Sequence, residues 1–178
     1  MSNVLIGIIG VILFIGLALA GALILGDDFR TATSSSKAAA VTQTMQQVVA
    51  AANMFQLKKG RQLMASEHST AIDTLVAAKS LKVAAVNPMN GAAIALVNQG
   101  GGIDATSPGR FFYTNLGTDS VARDVCRQIE ETMGSADADA AMVPVSDWGA
   151  RTASNRRMGC LLYSYYQPAM YQAYIPLN

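Results

Sequence analysis

The chain opens with an unbroken run of apolar residues. Residues 4–25 read VLIGIIGVILFIGLALAGALIL, twenty-two positions without a polar side chain. At about 1.5 Å of rise per residue, a helix of this length measures roughly 33 Å, enough to cross a hydrocarbon core of about 30 Å. The run is longer than the apolar core of a signal peptide, about 7 to 15 residues, and no basic residue precedes it. The pattern therefore predicts a retained transmembrane helix.

A second pattern, with apolar positions at helical spacing, follows between Lys37 and Lys59. Polar residues fill the opposite face, as in an amphipathic helix that packs on a folded body. Together with the apolar run, this predicts one long helix of about fifty residues that ends before Gly60. Two helices joined by a linker are the alternative. The apolar positions are Val41, Met45, Val48, Val49, Ala52 and Phe55.

The remainder of the chain shows a mixture of helical and strand patterns. A short helix is expected at residues 69–79, a turn at residues 87–91 (NPMNG) and a longer helix at residues 119–133. The longer helix should have Asp119 or Ser120 as its N-cap and should place Val121, Val125, Ile129 and Met133 on one face. Strands are expected at residues 92–97, at residues 110–114, and in the tail at MVPV, CLLYSYY and MYQAYIPL. The predicted fold is α+β, with the long N-terminal helix packed on an antiparallel sheet.

The charged residues are unevenly distributed along the chain. They make up 14% of it, against roughly 25% in average soluble proteins, and residues 1–26 contain none. The net charge of +1 gives no overall field that would favour a polyanion as partner. We predict three parts: a hydrophobic N-terminal helix at residues 1–28, its amphipathic continuation at residues 29–60, and a globular head at residues 61–178.

The chain has two cysteines, Cys126 and Cys160. A disulfide between them would close a loop of about 35 residues, for which the chain-entropy model gives roughly 3 to 4 kcal/mol of stabilisation. Two buried free thiols in a cytosolic domain are the alternative. A zinc site is not expected, because there is no CxxC motif and His68 is the only histidine.

Candidates for catalysis or ligand binding are weak. His68 has no GxSxG motif nearby, which speaks against a serine hydrolase. Asp137 and Asp139 are too few for a calcium loop, and the glycines at residues 100–102 lack the lysine of a phosphate-binding loop. We therefore predict no enzyme activity, no catalytic residue, no metal and no cofactor.

One surface candidate combines arginines with tyrosines near the C-terminus. These residue types serve as a platform for single-stranded DNA or as a protein-binding patch. In the alternative interpretation, the tyrosines fill strand faces and the arginines are solvated. The residues are Arg151, Arg156, Arg157, Tyr163, Tyr165, Tyr166, Tyr171 and Tyr174.

The order of these features resembles that of type IV pilins, and is most similar to type IVb major pilins. The apolar start and amphipathic second half of the helix match, and the NPMNG turn is similar to the NP-x-x-G turn that opens the pilin sheet. The segment RFFYT followed by the helix TDSVARDVCRQI looks like the family's strand, helix and first disulfide cysteine, Cys126. Gly159-Cys160 resembles the second cysteine, which bounds the disulfide region.

The resemblance implies a structural subunit of an extracellular type IV pilus. Such a subunit waits in the bacterial inner membrane, is processed by a prepilin peptidase, and is polymerised by the pilus assembly machinery into a helical homopolymer. Host cells, recipient cells or DNA are the contacts that the family suggests, in adhesion or conjugation. The alternatives are a pseudopilin or minor pilin, and a single-span membrane-anchored binding domain that does not polymerise.

The resemblance also assigns roles within the apolar run, where the sequence departs from the family pattern in several ways, among them the absence of the mid-segment proline found in many pilins. The basic leader of pilin precursors is not seen before Met1: either it has been removed and Met1 is the processed and methylated N-terminus, as we expect, or the resemblance fails there. Leu5 stands where most pilins carry glutamate, so the usual charge pairing of that glutamate cannot be carried over. The residues expected in the membrane or filament core are Val4, Leu5, Ile8, Ile9, Val11, Ile12, Phe14, Ile15, Leu17, Leu19 and Leu23.

Overall fold

A computed structural model describes residues 2–98, 110–145, 157–165 and 167–177, without the side chains of residues 2–6, 22–28, 65 and 98. The helices are α1 (Ser2–Lys59), α2 (Ala71–Ala77) and α3 (Ser120–Thr132), with short 3-10 turns at Ala65–Glu67 and Asp139–Met142. The strands are β1 (Ile94–Asn98), β2 (Arg110–Gly117), β3 (Pro144–Val145), β4 (Gly159–Tyr163) and β5 (Met170–Pro176). The fold is α+β, as predicted, with a long N-terminal helix on a five-stranded sheet.

The chain divides into two compact units, Met1–Ser34 and Ser35–Asn178, called here the N-terminal unit and the C-terminal unit. Helix α1 is continuous over 58 residues and contributes to both units. It ends where Lys58 and Lys59 complement the negative end of the helix dipole and Gly60 adopts a φ of 65°. The prediction of one long helix is therefore confirmed, and the alternative of two helices is wrong.

The membrane prediction requires a correction. Within the described part of the chain, no helix combines the length and the apolarity needed to cross a membrane. The described side chains of the apolar run extend from Gly7 to Gly21, roughly 22 Å of helix against a hydrocarbon core of about 30 Å. The predicted localisation, in the inner membrane before assembly and in an extracellular pilus afterwards, is therefore wrong at its first step, the anchoring in the inner membrane.

The core of the C-terminal unit is built on the second half of α1. Its buried positions recur every three or four residues, because only this spacing keeps side chains on one helix face. They join Leu75 of α2, Phe112 of β2 and Ile129 of α3 in one hydrophobic cluster. The buried apolar residues of α1 are Ala38, Val41, Met45, Val48, Ala51, Ala52 and Phe55, which confirms five of the six predicted positions and leaves Val49 half-buried.

The sheet has the strand order β1-β2-β5-β4-β3. Strand β5, the last in sequence, lies between β2 and β4 and pairs antiparallel with both. The short β3 pairs parallel with β4. The sheet is therefore antiparallel, as predicted, except at this edge. On the face away from α1, Phe111, Leu161 and Tyr174 form a second small cluster.

Helix α3 begins at the predicted cap. The Asp119 carboxylate accepts a hydrogen bond from the Ala122 N–H at 2.8 Å, which satisfies one of the free donors of the first turn. Val121, predicted on the buried face, is exposed instead. The buried stripe starts one residue later, at Ala122, and continues through Val125, Cys126 and Ile129.

Candidate assembly surface

The N-terminal unit carries a set of large apolar side chains that contact solvent. Their exposed fractions range from 50% for Ile9 to 74% for Phe14. Most large apolar side chains in a folded protein are buried, and a contiguous exposed set marks an interaction surface. We call this set the apolar segment: Ile8, Ile9, Val11, Ile12, Leu13, Phe14, Ile15, Leu17 and Leu19.

The apolar segment covers the whole circumference of α1. Residues 11–15 are five consecutive exposed apolar positions, and successive residues on an α-helix are rotated by about 100°. Their side chains therefore point in all directions around the axis. A helix that is hydrophobic on all sides is stable only when it is surrounded. The segment thus requires cover on several faces.

Four glycines interrupt the apolar segment and its flanks. Around Gly7, Gly10, Gly16 and Gly21, a Cβ atom would meet no other atom within 4 Å. Gly7, Gly10 and Gly21 fall within a sector of about 60° on the helix, and Gly16 lies on the opposite side. Small residues let the backbone of another helix approach closely. The exposed surface therefore has shallow positions next to the protruding ring of Phe14.

Several predicted positions of the apolar run lie outside this description. Met1 is not among the described residues, and the side chains of Val4, Leu5 and Leu23 are not described. The other eight predicted core residues are all exposed members of the apolar segment. Leu13 joins them, and the sequence gives it the same apolar character as its neighbours.

The two cysteines form a disulfide in the C-terminal unit, with their Cα atoms 5.4 Å apart. Both are fully buried, Cys126 on α3 and Cys160 on β4, so the bond links the helix to the sheet. The disulfide that the sequence favoured is confirmed, and the alternative of two free thiols is wrong.

A buried carboxylate supports this disulfide. Glu130 is 1% exposed, and its Oε1 accepts a hydrogen bond from the Cys160 N–H at 2.6 Å. Gly159 leaves the space for it, because a Cβ there would lie 2.7 Å from the Glu130 oxygen and 2.6 Å from the Tyr174 hydroxyl. The sequence interpretation missed Glu130, although its position four residues after Cys126 places it on the same helix face.

The NPMNG turn anchors the start of the sheet. The Asn87 side chain accepts from the Met89 N–H and donates to the carbonyl of Asn115 on β2, at 2.9 and 2.7 Å. Asn90 donates to the same carbonyl at 3.1 Å, and Gly91 adopts a φ of 72°. The predicted turn is confirmed. Its asparagines satisfy backbone groups beside the β-bulge of β2.

The members of the predicted arginine and tyrosine patch that the structure describes differ in their surroundings. Tyr174 is fully buried in the core, while Tyr165 is exposed and stacks on Tyr163 with ring centroids 6.1 Å apart. Arg157 donates to the carbonyl of Met133 at the end of α3. Three members of the prediction, Arg151, Arg156 and Tyr166, lie outside the described residues.

The remaining candidates occupy structural positions. Asp137 accepts from the Ala140 N–H at 3.1 Å, and Asp139 forms an ion pair with Arg127 at 3.1 Å. The His68 Nε2 atom has no hydrogen-bond partner among the described residues. Across those residues, no group of three or more metal-ligating side chains is found. The glycines at residues 100–102 lie outside the described ranges.

One ion pair closes the loop after α1. Two hydrogen bonds of 3.0 Å join the Arg61 guanidinium to the Glu67 carboxylate, which also accepts from the Met64 N–H. These hydrogen bonds, that of Arg61 first, lower the pKa of Glu67 below its ordinary value. The same pairing raises the pKa of Arg61, whose guanidinium lies 5.1 Å from the centre of the Phe55 ring.

No family model, curated protein or solved structure matches the chain. The pilin resemblance therefore stays a prediction from the sequence motifs. What the structure defines is an α+β protein with a long N-terminal helix, a disulfide between α3 and β4, and an exposed apolar segment.

Proposed function

We propose that the chain is the structural subunit of a type IV pilus-like filament and polymerises through its N-terminal hydrophobic helix. The observation that carries the proposal is the apolar segment, nine large side chains exposed around the full circumference of α1. The pilin-like order of turn, strand, helix and cysteines in the C-terminal unit supports it as well.

The energetics favour several neighbours for each helix. Full burial of a Val, Leu, Ile or Phe side chain contributes about 1.5–3 kcal/mol, and the nine side chains are between 50% and 74% exposed. Their complete burial therefore contributes on the order of 10 kcal/mol, whereas association costs about 4–15 kcal/mol. A single partner covering one side would recover only part of this. Packing among several copies covers all sides, as in a filament core.

The register between helices in such a filament rests on shape. No carboxylate precedes Asp27 in the sequence, so the first turns of α1 offer no acidic partner for a neighbouring N-terminal amine. Gly7, Gly10 and Gly21 share one side of the helix with Phe14, which provides grooves beside a large protruding ring. Interdigitation of the ring with these grooves fixes the axial position of one subunit against the next.

Self-assembly of the purified chain tests the proposal. The full chain is kept monomeric in a mild detergent, the detergent is removed, and the products are examined by negative-stain microscopy and sedimentation. We expect long filaments of uniform width. Ile12→Lys places a charge in the middle of the apolar segment and should abolish them, because a buried unpaired ammonium is costly.

Asn53→Lys is the matched control, since Asn53 is an exposed polar position on the same helix. It should assemble as the unchanged chain does. Both variants should retain the circular dichroism and the disulfide of the C-terminal unit. A chain that stays monomeric after detergent removal, or an Ile12→Lys chain that forms normal filaments, contradicts the proposal.

A further inference from the structure

An apolar groove lies on the C-terminal unit between the second half of α1 and the segment after α2. Its volume is about 500 Å³, within the range of roughly 300–1,000 Å³ typical of ligand clefts and ample for an aromatic ring. Met54 and Val83 line it with 48% and 75% of their surfaces exposed. We call it the Met54 groove; it is lined by Gln47, Ala50, Ala51, Met54, Ser80, Leu81, Lys82 and Val83.

The surroundings of the Met54 groove are positively charged. Lys82 lines it, and beside it the Lys58 ammonium donates to the carbonyl of Lys79 at 3.1 Å, which brings the end of α1 to the turn after α2. Neither residues 29–66 nor residues 74–103 contain an Asp or Glu. The groove therefore suits an apolar group that is accompanied by negative charge.

One residue that lines the groove, Ser80, carries a polar group without a partner. The Ser80 hydroxyl is buried and has no hydrogen-bond partner among the described residues. A buried hydroxyl without a partner is unfavourable, and as a donor it adds to the preference of the groove for negative charge.

The same chain offers a segment with the complementary properties. Phe29 on α1 is 75% exposed, so it is not buried within its own chain, and Asp27 and Asp28 precede it directly in the sequence. The sequence has one other pair of adjacent acidic residues, Glu130-Glu131, of which Glu130 is buried. Arg30, which follows Phe29, is already engaged in an interaction within the chain.

We infer that the Met54 groove, which is lined by Lys82, receives Phe29 of a second copy of this chain, whose sequence places Asp27 and Asp28 directly before that ring. The contact uses two different surfaces of the molecule, and a contact of this kind propagates into an open helical array unless its rotation closes a ring. The inference rests on the proposed filament and names the contact that sets the order of its subunits. The helix core supplies the apolar burial, and this contact supplies specificity.

Photo-crosslinking in the assembled full chain tests the contact. Phe29 is replaced by p-benzoylphenylalanine, which retains an aromatic ring, and the crosslinked peptides are identified by mass spectrometry with light and heavy copies mixed. We expect crosslinks between different copies at Met54, Leu81 or Val83. The matched control carries the same photoreactive residue at Leu57, an exposed position of α1 that does not line the groove. It should give no crosslink to these residues.

A charge exchange distinguishes a specific contact from chance proximity. Asp28→Lys on the chain with the photoreactive residue, or Lys82→Glu on the acceptor chain, should lower the crosslink yield several-fold. The two changes combined, one on each chain, should restore it, because the opposite charges face each other again.

The outcomes separate this inference from the proposed function. Filaments with crosslinks that map elsewhere, with no crosslink between copies, or without recovery in the charge exchange overturn the contact and leave the filament proposal intact. A small molecule that co-purifies in the groove and blocks the crosslink likewise overturns the second copy as occupant. Failure to form any assembly overturns the proposed function, and the contact with it.

Discussion

Helix α1 is used differently in the two units of the molecule. In the C-terminal unit its apolar residues lie on one face, and Phe55 is 1% exposed beneath the sheet and the other helices. In the N-terminal unit its apolar residues lie on every face, and Phe14 is 74% exposed. In the C-terminal unit the same chain covers the apolar side chains of α1, whereas in the N-terminal unit those described remain exposed in the single chain. One helix thus carries a buried folding surface and an exposed apolar surface in sequence, and the second is the surface that we propose for assembly.

The largest effect on stability should come from removing an aromatic ring of α1, and it should differ between the two units. Phe55→Ala removes a buried ring and should lower the free energy of unfolding by about 3–5 kcal/mol, because it leaves a cavity. Phe14→Ala should change that free energy little and should instead weaken assembly. Denaturant unfolding followed by circular dichroism, together with sedimentation, measures both. Equal losses of stability in the two variants would contradict the division.

The disulfide should have the next largest effect. Replacing both cysteines, Cys126→Ala with Cys160→Ala, should lower the free energy of unfolding by roughly 2–4 kcal/mol, because the bond closes a loop with a sequence separation of 34 residues. The reduced unchanged chain is the control and should behave alike. Since both cysteines belong to the C-terminal unit, filaments of the variant should keep their width and lose only thermal stability. A loss of assembly at temperatures where the head is folded would show that the units are coupled.

Replacing a glycine by alanine should change stability in opposite directions in the two units. Gly159→Ala places a methyl group 2.6 Å from the Tyr174 hydroxyl and 2.7 Å from Glu130, and should cost about 1–3 kcal/mol of stability. Gly16→Ala meets no atom within 4 Å on an exposed helix and should raise helix stability by about 0.5–1 kcal/mol. Thermal unfolding of the monomeric chains in detergent checks the signs. Destabilisation by Gly16→Ala in the monomer would indicate contacts within the chain at that position.

The smallest effect concerns pH. The pKa of Glu67 is lowered by its hydrogen bonds from Arg61 and Met64. Its contribution to stability is therefore complete above the ordinary carboxyl pKa and is lost as the pH falls through the lower value of the folded state. Glu67→Gln should flatten the acidic part of the stability curve slightly, because the Arg61 partner is exposed and solvent screens the pair. Urea unfolding across the acidic range measures this, with Glu131→Gln as the exposed control. Identical acid profiles for Glu67→Gln and the unchanged chain would contradict the assignment.

Local elements were predictable because their signals are local. The spacing of Val41, Met45 and Phe55 predicts a helix face, and the NPMNG turn and the Asp119 cap follow from the preferences of single residues. The parallel pairing of β3 with β4 and the position of β5 between β2 and β4 were not predictable, because strand partners are set by contacts between distant parts of the chain. Glu130 and the exposed Phe29 were missed because a charged or aromatic residue type does not by itself indicate burial or exposure.

The sequence by itself determined that the chain begins as an apolar helix, continues as an amphipathic one, and ends in an α+β head with two cysteines, because the period and type of side chains act over a few residues. Only the tertiary structure decided which faces are covered. It buried Glu130 against Cys160, joined the two cysteines, and left the apolar segment and the Met54 groove open. Burial of a side chain depends on which distant parts of the chain pack against it, and these contacts exist only in the complete fold.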